Sequence, residues 1–192
     1  MTLPLLSIRP APLADLTPVL RASSLASEAR GLPMWTQESL DPARLEAQYP
    51  GAQGYAGRLQ DRLADRVAER LKDRVAEQPV AVMLLVASDP VFWPGDPPGE
   101  ALYLHKLAVH PDWQGLRLSA QMVEEAARLT RAAGRPWLRL DTAAERPRLR
   151  NLYEDLGFRL VREGHADGWP AAWYELNVLP RGPGEAVTDW KA

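Results

Sequence analysis

Apolar positions along the chain change period several times, and each change marks an element. Residues 5–9 read as a short opening strand stopped by Pro10 and Pro12. Over 14–29, apolar residues at Leu16, Val19, Leu20 and Leu25 fall near helical spacing, and Gly31 is the stop. A weaker helix begins at Thr36 and runs toward Tyr49, after which Pro50, Gly51 and Gly54 punctuate a turn. Residues 79–87, PVAVMLLVA, are apolar nearly throughout, as in a strand covered on both faces. Residues 101–109 form a second strand, so the two predict a hairpin. Its long Pro/Gly-rich loop, 89–100, leaves Phe92 and Trp93 exposed. Over 118–133, Leu118, Met122, Val123, Ala126, Ala127 and Leu129 share one helical face, closed by Gly134. A strand at 137–140, a short helix at 147–156 ended by Gly157, and strands at 158–162 and 172–178 follow. The tail after Pro180 reads as loose.

One stretch has its own rhythm. Over 58–77, Leu59, Leu63, Val67, Leu71 and Val75 recur every fourth residue between acid–base pairs. On a helix of about 3.6 residues per turn, steps of four drift by about 40°, so the stripe winds slowly round the axis. It predicts an extra charged amphipathic helix held by local ion pairs, or a dimerisation or partner-binding helix. The element order needs only one core, so 1–192 reads as a single domain. Its class is mixed α/β (α+β), with a central sheet and helices on both faces.

Composition narrows the function. The 192 residues carry 23 basic and 25 acidic side chains, a net charge of −2, too balanced for a general grip on nucleic acid. The absence of cysteine excludes a disulfide scaffold, a zinc–thiolate site and a cysteine nucleophile. Three scattered histidines add no metal-ligand set, so neither a metal nor a membrane is expected as a partner. With no signal-like start, the expected location is cytoplasmic.

Two segments carry chemistry. In YLHKLAVHPDWQGLRLS, residues 103–119, a strand runs through a Gln114-Gly115 turn into a helix. Such a junction points unpaired N–H groups outward at the positive end of a helix, where phosphates bind. The second segment is LRNLYEDLGF, residues 149–158, where Tyr153 sits mid-helix. Alone, each has an ordinary structural reading.

Together they resemble the GNAT superfamily of N-acetyltransferases. That family's L-x-V-x-P strand and Q/R-x-x-G-x-G/A turn are matched by Leu107-Ala108-Val109-His110-Pro111 and by 114–119. Its L-Y-E-x-x-G-F run is intact at 152–158. The resemblance covers about 79–178. It implies acetyl-CoA as co-substrate, a small-molecule or protein amine as acceptor, and direct transfer without a covalent enzyme intermediate. It further implies a mostly antiparallel, twisted sheet that splays beside Leu107. Leu107, Ala108 and Val109 would hold the pantetheine arm, and Gln114, Gly115, Leu116, Arg117, Leu118, Ser119 and Ala120 the pyrophosphate. Tyr153 would protonate the departing thiolate, since a tyrosine with a pKa of about 10 stays protonated near neutrality.

His105 resembles the histidine base of the arylalkylamine branch. Two residues from Leu107, it is expected on that residue's strand face. Arg117 stands where the family prefers Gly, Ser119 where it prefers Gly or Ala, and Arg146 where many relatives carry Asn near the pantetheine. Arg117 either crowds the phosphates or pairs with them. The first outcome leads to the alternative reading, a non-catalytic CoA- or partner-binding protein. A phosphate binder of another α/β type would instead need a parallel sheet with its ligand at a topological switch point. Trp35, Phe92, Trp93, Trp169 and Trp173 are candidate acceptor-pocket aromatics, and Asp89, Asp96 and Glu100 candidate steering acids.

Overall fold

The computed structural model describes residues 5–60, 78–166 and 168–179. The elements are β1 (Leu6–Pro10), α1 (Leu13–Glu28), α2 (Pro42–Gln48), β2 (Gln53–Leu59), β3 (Ala81–Val86) and β4 (Ala101–Val109), then a 3₁₀ turn (Pro111–Trp113). After it come α3 (Leu118–Ala132), β5 (Trp137–Ala143), α4 (Pro147–Asp155), β6 (Arg159–Ala166) and β7 (Trp169–Asn177). The seven strands form one sheet in the order β1-β2-β3-β4-β5-β7-β6. Every pairing is antiparallel except β4 with β5. The mainly parallel sheet of the rival phosphate-binder reading is therefore not the fold of this chain.

Helices cover both faces. Leu118, Met122, Val123 and Ala126 of α3 pack with Met83, Leu85, Leu104, Leu138 and Leu140 in one core. Leu16, Val19 and Leu20 of α1 pack with Leu45 of α2 and with Val82, Leu84 and Ala108 in the other. Each such fully buried side chain contributes about 1.5–3 kcal/mol, so the alternating apolar positions of β3 hold both layers. Leu25 does not belong to this face: it is exposed, and Ser23, Ser24 and Ser27 turn inward instead. Ser24 Oγ donates to the Trp35 carbonyl at 2.6 Å and Ser27 Oγ to that of Leu32, tying the segment after α1 to the helix.

The largest departure from the sequence reading is β2. Gly54 is not a turn residue but a strand residue at a close approach: an added Cβ would lie 2.6 Å from the Ala11 carbonyl oxygen. Arg58 and Leu59 pair with Ser7 and Leu6, so they continue a strand rather than open a helix. Residues 61–77 of the expected helix, and the tail from 180, lie outside the described residues. The second helix begins at Pro42, not Thr36, because Asp41 caps it by accepting the Ala43 N–H at 3.0 Å. Phe92 is half-buried and Trp93 buried, not exposed. His165 lies in β6. Among the described residues, no helix is long and apolar enough to cross a membrane.

Candidate active site at the strand fork

β4 and β5 pair only at Ala101↔Trp137, Leu102↔Leu138 and Tyr103↔Arg139. Beyond Tyr103 the facing edge of β4 has no ladder partner there, so its backbone groups are available to an extended ligand. This is the splay expected beside Leu107. A second irregularity lies on the β3 side. Between the pairs Leu84↔His105 and Val82↔Ala108, β4 advances one residue more than β3. That extra residue is a β-bulge, and Lys106 takes the left-handed φ of 52° within it. Such a backbone is costly for a long side chain, and strain of this kind gathers at functional sites.

The bulge overturns the expected face of His105. Leu104, Leu107 and Val109 pack in the α3 core, whereas Ala108 packs in the α1–α2 core. His105 stacks on Tyr49 with ring centres 4.6 Å apart, and the Lys106 ammonium lies over Trp35 at 4.9 Å and Tyr49 at 5.5 Å. Consecutive residues 105 and 106 thus share the α1–α2 side, opposite Leu107. Period-two alternation fails across a bulge, which is why spacing alone misplaced the histidine.

Two carboxylates meet His105. Asp89 Oδ1 accepts the Phe92 N–H at 3.1 Å, leaving Oδ2 3.0 Å from His105 Nε2. Asp141 Oδ1 stands 4.0 Å from Nδ1. The approaches are off-line: Asp89 Oδ2, His105 Nε2 and Asp141 Oδ1 are buried and make no hydrogen bond. Burial pushes the Asp141 carboxyl up to about 6 (His105 and Lys106 oppose the rise and Asp89 adds to it). Burial likewise lowers the Lys106 ammonium to about 8, with Asp141 pulling the other way. One donor atom from each of Asp89, His105 and Asp141 lies within 4.8 Å of the others, a spacing a divalent ion could bridge.

Tyr153 approaches from the other layer. It packs against Phe158 at 5.7 Å and Tyr174 at 6.1 Å, and burial with the Asp141 charge lifts its hydroxyl well above the ordinary tyrosine range. The field of Asp141 therefore reaches the hydroxyl, which makes no hydrogen bond among the described residues. The L-Y-E-D-L-G-F run now has a local cause. The Phe158 N–H donates to the Tyr153 carbonyl at 3.0 Å and the Gly157 N–H to that of Glu154 at 2.9 Å. Gly157 has φ 84°, so this is a Schellman stop whose apolar contact is Tyr153 on Phe158.

At the end of the fork, Gly115 (φ 81°) and Arg117 (φ 56°) both take a left-handed backbone before α3. Among the described residues, the N–H groups of Gly115, Leu116, Arg117, Leu118 and Ser119 donate to no protein acceptor. Consecutive free donors at a helix start form an anion-binding nest. Two expected holders are otherwise engaged. The Ala120 N–H donates to the Arg117 carbonyl at 3.1 Å. The Gln114 N–H donates to Pro111 at 3.4 Å, and its side chain accepts from Arg30, also at 3.4 Å. The glycine preference at position 117 reflects a left-handed backbone as well as space for a phosphate, and here an exposed Arg117 adopts it. Arg146 does not reach toward the fork: its guanidinium donates to the Leu32 carbonyl at 2.9 Å and to that of Pro33.

Of the candidate pocket aromatics, Trp35 and Phe92 stand at the site. Trp93 and Trp173 belong to a separate buried cluster and Trp169 is exposed. Asp96 and Glu100 are held by Arg139 at 2.6 and 3.2 Å, so only Asp89 of the candidate acids faces the fork. Sequence reasoning missed Asp141, Lys106 and Tyr49. The strand expected at 137–140 runs three residues further, to Ala143, and its alternation puts Asp141 opposite in face to Leu140.

Residues 67–160 match the family model of an acetyltransferase (GNAT) domain. Just under half of the chain is thus similar to a GNAT acetyltransferase domain. Solved structures agree in fold. An acetyltransferase from Thermus thermophilus shares 21% identity over 92% of this chain and 99% of its own, with a TM-score of 0.61. The protein yncA from Salmonella typhimurium, determined with its cofactor acetyl-CoA, shares 14% identity over 95% and 99%, also at 0.61. A GNAT-family acetyltransferase from Staphylococcus aureus shares 14% over 91% and 100%, again at 0.61. Comparison with curated proteins finds no match.

Proposed function

We propose that this protein is an acetyl-CoA-dependent N-acetyltransferase that moves an acetyl group to a primary amine by direct attack. Acetyl transfer is the family's activity; the amine acceptor and the residue roles are this proposal's own. The observation that carries it is the joining, at one fork, of an unpaired strand edge, a five-amide nest, a His105–Asp141 pair on one side and Tyr153 on the other. Acetyl-CoA fits these features, since its pyrophosphate suits the nest and its extended arm suits the open edge of β4. When bound, it supplies a thioester whose carbonyl gathers negative charge as the amine attacks.

Gly115 to Ser119 would bind the pyrophosphate through backbone N–H groups, with Arg117 closing on it. Leu107 and Val109 would align the arm through their main chain, and Ala108 holds that segment against the α1 layer. His105 takes the proton that the amine loses; Asp141, close to Nδ1, steadies the resulting imidazolium. Asp89, fixed by Phe92, stands 3.0 Å from Nε2 and lines the other edge of the ring. Tyr153, kept protonated by burial, donates to the departing sulfur. The test is calorimetric titration with acetyl-CoA, followed by amine-dependent release of free thiol across an amine panel, with Tyr153→Phe as control. Absence of acetyl-CoA binding would overturn the proposal.

A further inference from the structure

Lys106 is unexplained by the mechanism above. It is the one lysine among residues 73–190 of an arginine-rich chain, and only 9% of its surface is exposed. Its backbone is held at φ 52° in the bulge. Among the described residues its ammonium makes no hydrogen bond and no ion pair; the Trp35 and Tyr49 rings flank it, and only the field of Asp141 acts on it from a distance. A buried cation without an anionic contact is costly unless a ligand supplies one. Its surroundings are also secured, since Ser24 holds the Trp35 carbonyl and Arg146 holds those of Leu32 and Pro33.

The bulge sets this ammonium beside the base on the same side of the sheet. The site therefore presents a positive group at Lys106 and, beyond ion-pair distance, a negative one at Asp141. A molecule of matching polarity carries both an amino group and a carboxylate. Building on the acetyltransferase reading, we infer that the acceptor is a free amino acid, its carboxylate bound by Lys106 and its amine directed to His105 and Asp141. Polyamines and lysine side chains of proteins lack the nearby carboxylate and would place a second cation or an amide against Lys106. Trp35, Tyr49 and Phe92 would contact the acceptor's apolar portion.

The test compares matched pairs on the full chain at saturating acetyl-CoA: phenylalanine against phenethylamine, and leucine against isopentylamine. Loss of one partner of a buried charge pair costs about 2 kcal/mol or more, so the amino acid should be preferred by about thirtyfold or more in kcat/KM. Lys106→Met should collapse that ratio toward unity, and Lys106→Arg should keep part of it, which separates lost recognition from a misfolded variant. Equal use of both members, or a ratio unmoved by Lys106→Met, would overturn the inference. A binding arm needs no turnover: the products N-acetylphenylalanine and N-acetylphenethylamine are titrated while the Lys106 side-chain resonances are followed. Selective binding of the acid without any acetyl transfer would uphold Lys106 and sink the acetyltransferase proposal. Failure of the acid to perturb Lys106 would sink the inference, whatever the activity.

Discussion

Asp141→Asn should make the protein more stable and less active, and the gain should depend on pH. The folded carboxyl holds its proton up to about 6, against 3.8 for the free group. Roughly two pH units at about 1.4 kcal/mol each amount to about 3 kcal/mol. Because the folded value is raised, the stabilisation from the bound proton is complete below 3.8 and is lost as pH rises through about 6. At about pH 8 the native protein therefore carries a desolvated carboxylate that asparagine would not. Only 17% of the side chain is exposed, so solvent screening removes little of the effect. For a chain of this size the gain corresponds to roughly 6–12 °C in Tm. The assay is thermal or urea unfolding of both proteins at about pH 8, 6 and 4. The difference should be largest at the highest pH and shrink toward zero at the lowest. A variant less stable than its parent at about pH 8, or a gap independent of pH, would refute the argument that burial dominates at Asp141.

Tyr153→Phe should lower kcat by about a hundredfold or more with little change in unfolding midpoint, because the lost hydroxyl has no hydrogen-bond partner among the described residues. A large stability loss with turnover intact would return Tyr153 to a packing role. Arg117→Gly should shift stability by less than about 1 kcal/mol, as relief of the left-handed backbone offsets glycine's chain entropy. Acetyl-CoA affinity by calorimetry should fall severalfold; tighter binding would mean that the guanidinium obstructs the nest. Gly54→Ala should destabilise by about 1–3 kcal/mol in urea unfolding, since its Cβ would meet the Ala11 carbonyl oxygen at 2.6 Å. An unchanged midpoint would mean that the β1–α1 junction yields freely.

The motifs led to the family whose model matches residues 67–160, and for a physical reason. The Gln114–Ser119 turn and the Leu152–Phe158 helix end are contiguous in sequence, and each is shaped by local rules: an anion nest at a helix start and a Schellman stop at a helix end. Strong periodicity likewise showed β3, β4 and α3 to within a few residues. β2 was missed because Pro50, Gly51 and Gly54 read as a turn, and only the approach of Ala11 to Gly54 and of Leu6 to Gly57 shows why those strand positions are small.

What the sequence determined by itself was therefore the set of short-range features, together with Tyr153, His105 and the phosphate turn as candidates. Only the tertiary structure decided their arrangement. One inserted residue in β4 turned His105 and Lys106 to the same side and away from Leu107. The parting of β4 from β5 after Tyr103 set Asp141 beside the imidazole, and the loop after β3 brought Asp89 to its other nitrogen. Asp89, His105 and Asp141 are far apart along the chain. Their encounter depends on strand register and on a bulge, and neither leaves a periodic trace in the sequence.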